Sequence, residues 1–140
     1  LILDGIKPML ALVLISYFFN EYYQNFKFLY FYISIVGHVF PIWLMFKGGK
    51  GVACFFGGFL IISPIPTLIS MAVWMVTVKI TKISSLGALL SIFLLTSYQI
   101  VSNYGTLNKG TILAIMLLIF WKHNENIKRL IEGKENKINL

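Results

Sequence analysis

Charge is scarce in this sequence. Charged side chains make up 12% of its 140 residues, and only five are acidic. A soluble domain is about a quarter charged and just under half apolar, whereas here 58% of residues are hydrophobic and the mean hydropathy is +0.81. A domain of about 150 residues still exposes nearly a third of the surface of its unfolded chain, so this surplus has nowhere to hide from water. It must face lipid or a large partner, and lipid is the simpler answer. Cysteine occurs once, at Cys54. That excludes an internal disulfide and reads as a small buried hydrophobe inside an apolar run. No basic segment leads into an apolar stretch at the start, so a signal peptide is not expected. The sequence also shows no internal repeat and no low-complexity segment.

What charge there is has one sign, a formal net +7. The lysines fall largely between apolar runs, which points away from nucleic acid and toward anionic lipid head groups or phosphorylated substrates. Six apolar stretches predict an all-α, polytopic membrane bundle in one domain over 1–140, with spans near 8–19, 28–46, 51–62, 66–78, 86–101 and 109–121 and a polar tail over 122–140. Several are shorter than the ~20 residues of a straight span. Ser63-Pro64-Ile65-Pro66 separates the third from the fourth, and two prolines so close favour a turn over a kinked single span. With that turn, Lys7, Lys47 and Lys50, Lys79 and Lys82, and the basic tail residues Lys122, Lys128, Arg129, Lys134 and Lys137 share one side. Only Lys27 and Lys109 fall on the other. The positive-inside rule then makes the basic side cytoplasmic, with both chain ends there. Asp4-Gly5-Ile6-Lys7-Pro8 reads as the end of a loop entering the first span. With Leu at residue 1, the expectation is a fragment, a shortened product or a non-Met start.

Three segments on that side could carry chemistry. In the first, Lys47, Gly48, Gly49, Lys50 and Gly51 stand directly before an apolar helix. Glycines let backbone N–H groups form an anion nest, the helix adds its positive end, and the lysines add formal charge. A phosphate site and a basic loop on lipid head groups both fit. A Walker A loop does not, because Leu44 stands where the leading glycine belongs and no Ser or Thr follows Lys50. His38, near the inner end of its span, is a functional candidate by position or a neutral histidine bonded to a backbone carbonyl. In the second segment, Ser84 or Ser85 reads first as a cap of the next helix and second as a ligand donor. In the third, His123 and Asn126 lie one helical turn apart, suited either to a proton acceptor with its orienting group or to an amphipathic helix lying on anionic lipid. All three segments share one side, and the other side holds nothing comparable.

Gly37-His38-x-Phe40-Pro41 followed by Phe46-Lys47-Gly48-Gly49-Lys50-Gly51-Val52-Ala53 resembles the central motif of the bacterial acyl-phosphate:glycerol-3-phosphate acyltransferases. Lys82-x-Ser84-Ser85-Leu86 is similar to a later loop of that family, and His123-x-x-Asn126-Ile127-x-Arg129-Leu130-x-x-Gly133-x-Glu135 to its C-terminal motif. The resemblance implies a plasma-membrane enzyme of phospholipid synthesis, multi-pass, with its active face cytoplasmic. It would move a fatty acyl group from acyl-phosphate to the 1-hydroxyl of sn-glycerol 3-phosphate, giving lysophosphatidic acid and phosphate. It implies no metal and no organic cofactor, and contact with lipid and with the enzyme that makes acyl-phosphate. By position, Lys47 to Gly51 match the glycerol-3-phosphate site, His123 and Asn126 match residues needed for activity, and Glu135 matches one that supports structure. His38, Ser84 and Ser85 join the substrate-binding candidates. The family carries a further N-terminal span and a Gly/Asn/Ser-rich motif that have no counterpart in this sequence. A non-catalytic membrane remnant and a small transporter subunit are the competing readings.

Overall fold

The fold is that of a computed structural model, which describes residues 2–42, 45, 48–102 and 105–138. Among these residues the regular structure is entirely helical: α1 (Ile2–Phe18), α2 (Asn20–Val39), α3 (Val52–Ile62), α4 (Pro64–Thr81), α5 (Ser84–Val101), α6 (Thr106–Lys122) and α7 (Asn124–Ile131). Phe19 alone joins α1 to α2, and Ser63 alone joins α3 to α4. Ser63 is extended (φ −151°, ψ 78°). Pro64 then opens α4 and Pro66 falls in its first turn, where an amide has no helical acceptor to lose.

From α1 to α6 successive helices run in opposite directions, and α7 turns off α6 at His123. At one end, the start of α1 meets the end of α2 through Asp4 and His38. The loop entering α3 meets α7 through Lys50 and Asn126. The start of α5 meets the chain beyond α7 through Ser85 and Glu135. At the opposite end, Gln99 near the close of α5 donates to the hydroxyl of Ser63 in the α3–α4 turn.

Helix α3 is the centre of the bundle. Every residue from Cys54 to Phe59 is buried. Phe59 meets Phe31 edge-on (centroids 5.2 Å, 89°) and packs on Phe55 at 4.7 Å, the tilted arrangements that aromatic rings prefer. Gly57 and Gly58 let neighbours come close, as small residues do between membrane helices. A Cβ on Gly57 would strike the Gly5 backbone of α1, and one on Gly58 would strike the Phe31 ring of α2. Large apolar side chains such as Leu10, Leu14, Ile69, Met75 and Leu117 point outward and are exposed. Helices α4 and α5 are each long and apolar enough to cross a membrane.

Length decides where the site can form. At 1.5 Å per residue, the 11 residues of α3 extend only about 16 Å, against about 27 Å for the 18 of α4. The two are level at Ser63, so α3 starts about 10 Å short of the other end of α4. That shortfall leaves a recess among α3, α4, α5 and the α6–α7 corner.

Two expectations are corrected. Asp4 to Pro8 are not a loop, because α1 already runs through them. Pro8 inside the helix removes the amide that would bond the Asp4 carbonyl, and the Cys54 thiol donates to that carbonyl instead, at 3.1 Å. The stretch between the first two apolar runs, expected as the outer loop that holds Lys27, is helical as well: α2 begins at Asn20 and extends beyond its apolar run.

Candidate active site

Gly51 has φ +85° at the N-terminus of α3, a conformation that glycine alone enters without strain. Gly48 and Gly49 are small for a different reason. A Cβ on Gly48 would meet the His38 and Val39 carbonyl oxygens, and one on Gly49 would sit 2.5 Å from His38 Nε2. The loop thus lies hard against the end of α2, which aims Lys50 across the recess. Its ammonium donates to Asn126 Oδ1 at 2.5 Å.

Asn126 is buried, 6% exposed, on α7. Its amide donates in turn to Glu135 Oε1 at 2.5 Å. The same oxygen accepts from Ser85 Oγ at 2.8 Å, and Arg129 Nε donates to Oε2 at 2.7 Å. Glu135 reaches back because α7 ends in a Schellman turn. Gly133 (φ +69°) sends its amide to Leu130 O, and Lys134 sends its amide to Arg129 O at 2.8 Å. Burial alone would raise the Glu135 carboxyl, but the donors Asn126, Arg129 and Ser85 outweigh it and hold the pKa down to about 2.

His123 stands at the corner between α6 and α7 (φ −98°, ψ 9°), 3% exposed. Its Nδ1 lies 2.8 Å from the Ile119 carbonyl. A carbonyl only accepts, so Nδ1 carries the proton and Nε2 keeps its lone pair. Burial lowers the His123 pKa, and the Lys50 charge lowers it further against the opposing pull of Ile119 O and Glu135. His123 is therefore a neutral base at neutral pH.

These groups line one cavity of about 400 Å³, bounded by Lys50, Val52, Trp74, Ser84, Ser85, Ala88, His123, Asn126, Glu135, Asn136 and Ile138. Val52 and Ala88 form its floor at the depth that the short α3 sets. The Trp74 indole N–H in its wall is buried without a partner among the described residues.

The structure thus gathers Lys50, Ser84, Ser85, His123, Asn126 and Glu135, with Gly48, Gly49 and Gly51 shaping the loop behind Lys50. His38 is not among the cavity's lining residues. Its Nδ1 lies 3.7 Å from the Asp4 carboxylate, and its ring braces Gly49. Lys47 lies outside the described residues. The capping reading of Ser84 and Ser85 is overturned. Ile83 is the N-cap of α5 and no side chain caps it: Ser84 and Ser85 already lie in the first turn, and the Ser85 hydroxyl turns to Glu135. Sequence reasoning passed over Trp74, Asn136 and Ile138, which carry no ionisable group and no motif.

The glycerol-3-phosphate acyltransferase family model matches residues 1–133. The chain belongs to that family. It is 35% identical to a glycerol-3-phosphate acyltransferase of Ehrlichia chaffeensis, over 100% of this chain and 70% of the relative. It is 38% identical to glycerol-3-phosphate acyltransferase 1 of Rhizobium johnstonii, over 99% of this chain and 65% of the relative. Among solved structures it resembles an integral membrane glycerol 3-phosphate acyltransferase in its glycerol 3-phosphate form, with a TM-score of 0.84 and 28% identity, covering 98% of this chain and 68% of that one. The lysophosphatidic acid form of the same enzyme matches equally, at a TM-score of 0.84. Membership in this family accounts for the outward apolar faces: this is a membrane protein. The chain spans 65% to 70% of the length of these two relatives.

Proposed function

We propose that the chain transfers a fatty acyl group from acyl-phosphate to the 1-hydroxyl of glycerol 3-phosphate, giving lysophosphatidic acid and inorganic phosphate, in the cavity between Lys50 and His123. The observation that carries this reading is the pairing of a fixed ammonium with a neutral imidazole in one buried recess. An ammonium has three donors. Asn126 takes one from Lys50 and leaves two for phosphate oxygens, with the Ser84 hydroxyl nearby, while the Ser85 hydroxyl donates to Glu135. His123 Nε2 accepts the hydroxyl proton while the hydroxyl oxygen bonds to the acyl carbonyl carbon. The carbon–oxygen bond to phosphate then breaks, and phosphate leaves with the bonding pair. The donor is already activated, so positioning and charge stabilisation supply most of the acceleration and no acyl-enzyme is needed.

Asn126 has a role distinct from that of His123. Its carbonyl accepts from Lys50 and its amide donates to Glu135, so it positions Lys50, with one N–H and one lone pair still open to the cavity it lines. The basic ends and the cavity share one side of the bundle, which supports a multi-pass chain in the plasma membrane with the site facing the cytoplasm. The enzyme that makes acyl-phosphate would meet the protein on that side. Steady-state kinetics test the assignment: Lys50→Ala should raise the KM for glycerol 3-phosphate, and an unchanged KM sinks the role given to Lys50.

A further inference from the structure

A cluster of titratable groups lies outside the cavity, where α1, α2 and α3 meet. The Asp4 carboxylate stands 3.2 Å from the Lys7 ammonium and 3.7 Å from His38 Nδ1. A carboxylate only accepts, so Nδ1 carries a proton on that side. The opposite edge of the ring faces the glycine loop. The three atoms nearest a Cβ on Gly49 all belong to His38: Nε2 at 2.5 Å, Cε1 at 3.3 Å and Cδ2 at 3.6 Å. The ring is thus wedged between Asp4 and the residue that precedes Lys50. We propose that Asp4 and His38 form a strut that fixes the Lys50 loop, and that His38 is a positioning residue for glycerol 3-phosphate that acts through the Lys50 ammonium. The proposal rests on the acyl-transfer reading, which gives Lys50 the phosphate, and names what holds Lys50 in place.

A lysine side chain is long and loses much rotamer freedom when it is held in one place. Asn126 holds the tip of Lys50, and that bond orients the ammonium only if the backbone beneath it is fixed as well. On one side of Lys50, a Cβ on Gly51 would touch the Val39, Ile35 and Ile119 side chains at 3.4–3.5 Å, so Gly51 is seated on α2 and α6. On the other side, Gly49 cannot move toward α2 without striking the His38 ring.

Asp4 is itself seated on α3. The Cys54 thiol donates to its carbonyl at 3.1 Å, and a Cβ on the adjacent Gly5 would lie 3.2 Å from the Ala53 carbonyl oxygen. The contacts therefore close a ring. It runs from Cys54 to Asp4, from Asp4 to His38, from His38 to Gly49, and through Lys50 and Gly51 back into α3. Neither Asp4 nor His38 lines the cavity, so both reach the substrate only through Lys50. A displacement of about 1 Å at a binding group is enough to weaken its contacts severely.

The test measures the Kd of sn-glycerol 3-phosphate by calorimetry, and kcat with acyl-phosphate, on the full chain in detergent. His38→Ala and the isosteric Asp4→Asn should each raise the Kd about tenfold while kcat at saturating glycerol 3-phosphate holds. In a Lys50→Ala chain, His38→Ala should add nothing, because both changes act on the same ammonium. Gly49→Ala should also raise the Kd, since its methyl strikes the ring, and the Gly49→Ala/His38→Ala double variant should bind no more weakly than His38→Ala alone. Native Kd values in both His38→Ala and Asp4→Asn overturn the proposal. So does a further tenfold loss from His38→Ala in the Lys50→Ala chain, which would make His38 a direct ligand of the phosphate. Losses that multiply in the Gly49/His38 pair overturn the contact between ring and loop. A native chain that binds glycerol 3-phosphate and forms no product sinks the acyl-transfer reading, and the strut is then decided by the Kd values alone. A native chain that binds none overturns both.

Discussion

The three donors of the Lys50 ammonium are not equivalent, because Asn126 Oδ1 fixes one at 2.5 Å and so orients the other two. Lys50→Ala removes a charge-assisted bond to phosphate, worth about 1.5–3 kcal/mol, and should raise the KM for glycerol 3-phosphate on the order of tenfold to a hundredfold. Asn126→Asp keeps the shape but places a second carboxylate beside Glu135 and pairs Lys50 internally. It should raise the same KM with little change in the tertiary fold seen by near-UV circular dichroism. An Asn126→Asp enzyme with native KM would contradict the positioning role.

The two titrating groups at the site act at different pH. His123 has a lowered pKa, so its neutral form is favoured by folding. Its contribution is complete above the ordinary histidine value of about 6.5 and is lost as pH falls through the lower folded value. A pH profile of kcat/KM should therefore show its acid limb below 6.5. Glu135, held to about 2 against an ordinary 4.5, stabilises the fold fully above 4.5, and that contribution fades as pH drops toward 2. Glu135→Gln should flatten the acid side of a thermal-melting profile between those two values, and should move the limb due to His123 to lower pH because the Glu135 charge that raises the His123 pKa is gone.

Among the elements, α3 shows most clearly how packing sets the site. Gly57 faces backbone, and Gly58 faces a ring that can swing. Gly57→Ala should therefore destabilise more than Gly58→Ala, with overpacking on the order of 1–3 kcal/mol, read as melting temperature in detergent. Equal losses would contradict the close approach of α1 and α3. Part of this was legible beforehand. Gly51 and Lys50 announce a special turn before a helix because backbone conformation and charge are local properties. His123, Asn126 and Glu135 announced themselves by residue type and spacing. Residues whose roles depend on distant partners did not. Ser85 looks like a helix cap until the Gly133 turn brings Glu135 to it. Pro8 looks like a helix start until Cys54 supplies the donor that its carbonyl partner lacks. Asn20–Lys27 looks like a loop because apolar periodicity marks where a helix meets lipid, not where its hydrogen bonds end.

For the molecule as a whole, composition was enough for an all-helical membrane protein, since no packing of so apolar a chain hides its surface from water. The run over 51–62 already marked the third helix as short, and α3 is Val52–Ile62; what the sequence did not reveal is that this helix is enclosed, and that its shortness opens the cavity. The alternation of helix directions predicts a topology. Starting from Cys54→Ala, single cysteines at Asn20 and Gly105 should react with a membrane-impermeant maleimide on intact cells, and one at Lys134 only after permeabilisation. The reverse pattern would place the cavity on the outside, away from any cytoplasmic acyl-phosphate.

The central claim is that acyl transfer runs between Lys50 and His123. It is tested most directly by purifying the chain and its His123→Ala variant and following lysophosphatidic acid from acyl-phosphate, with and without glycerol 3-phosphate. The native chain should form product only with both substrates, and His123→Ala should lower kcat by about a hundredfold or more. A variant as fast as the native chain, or a native chain that binds both substrates and turns over neither, would contradict it.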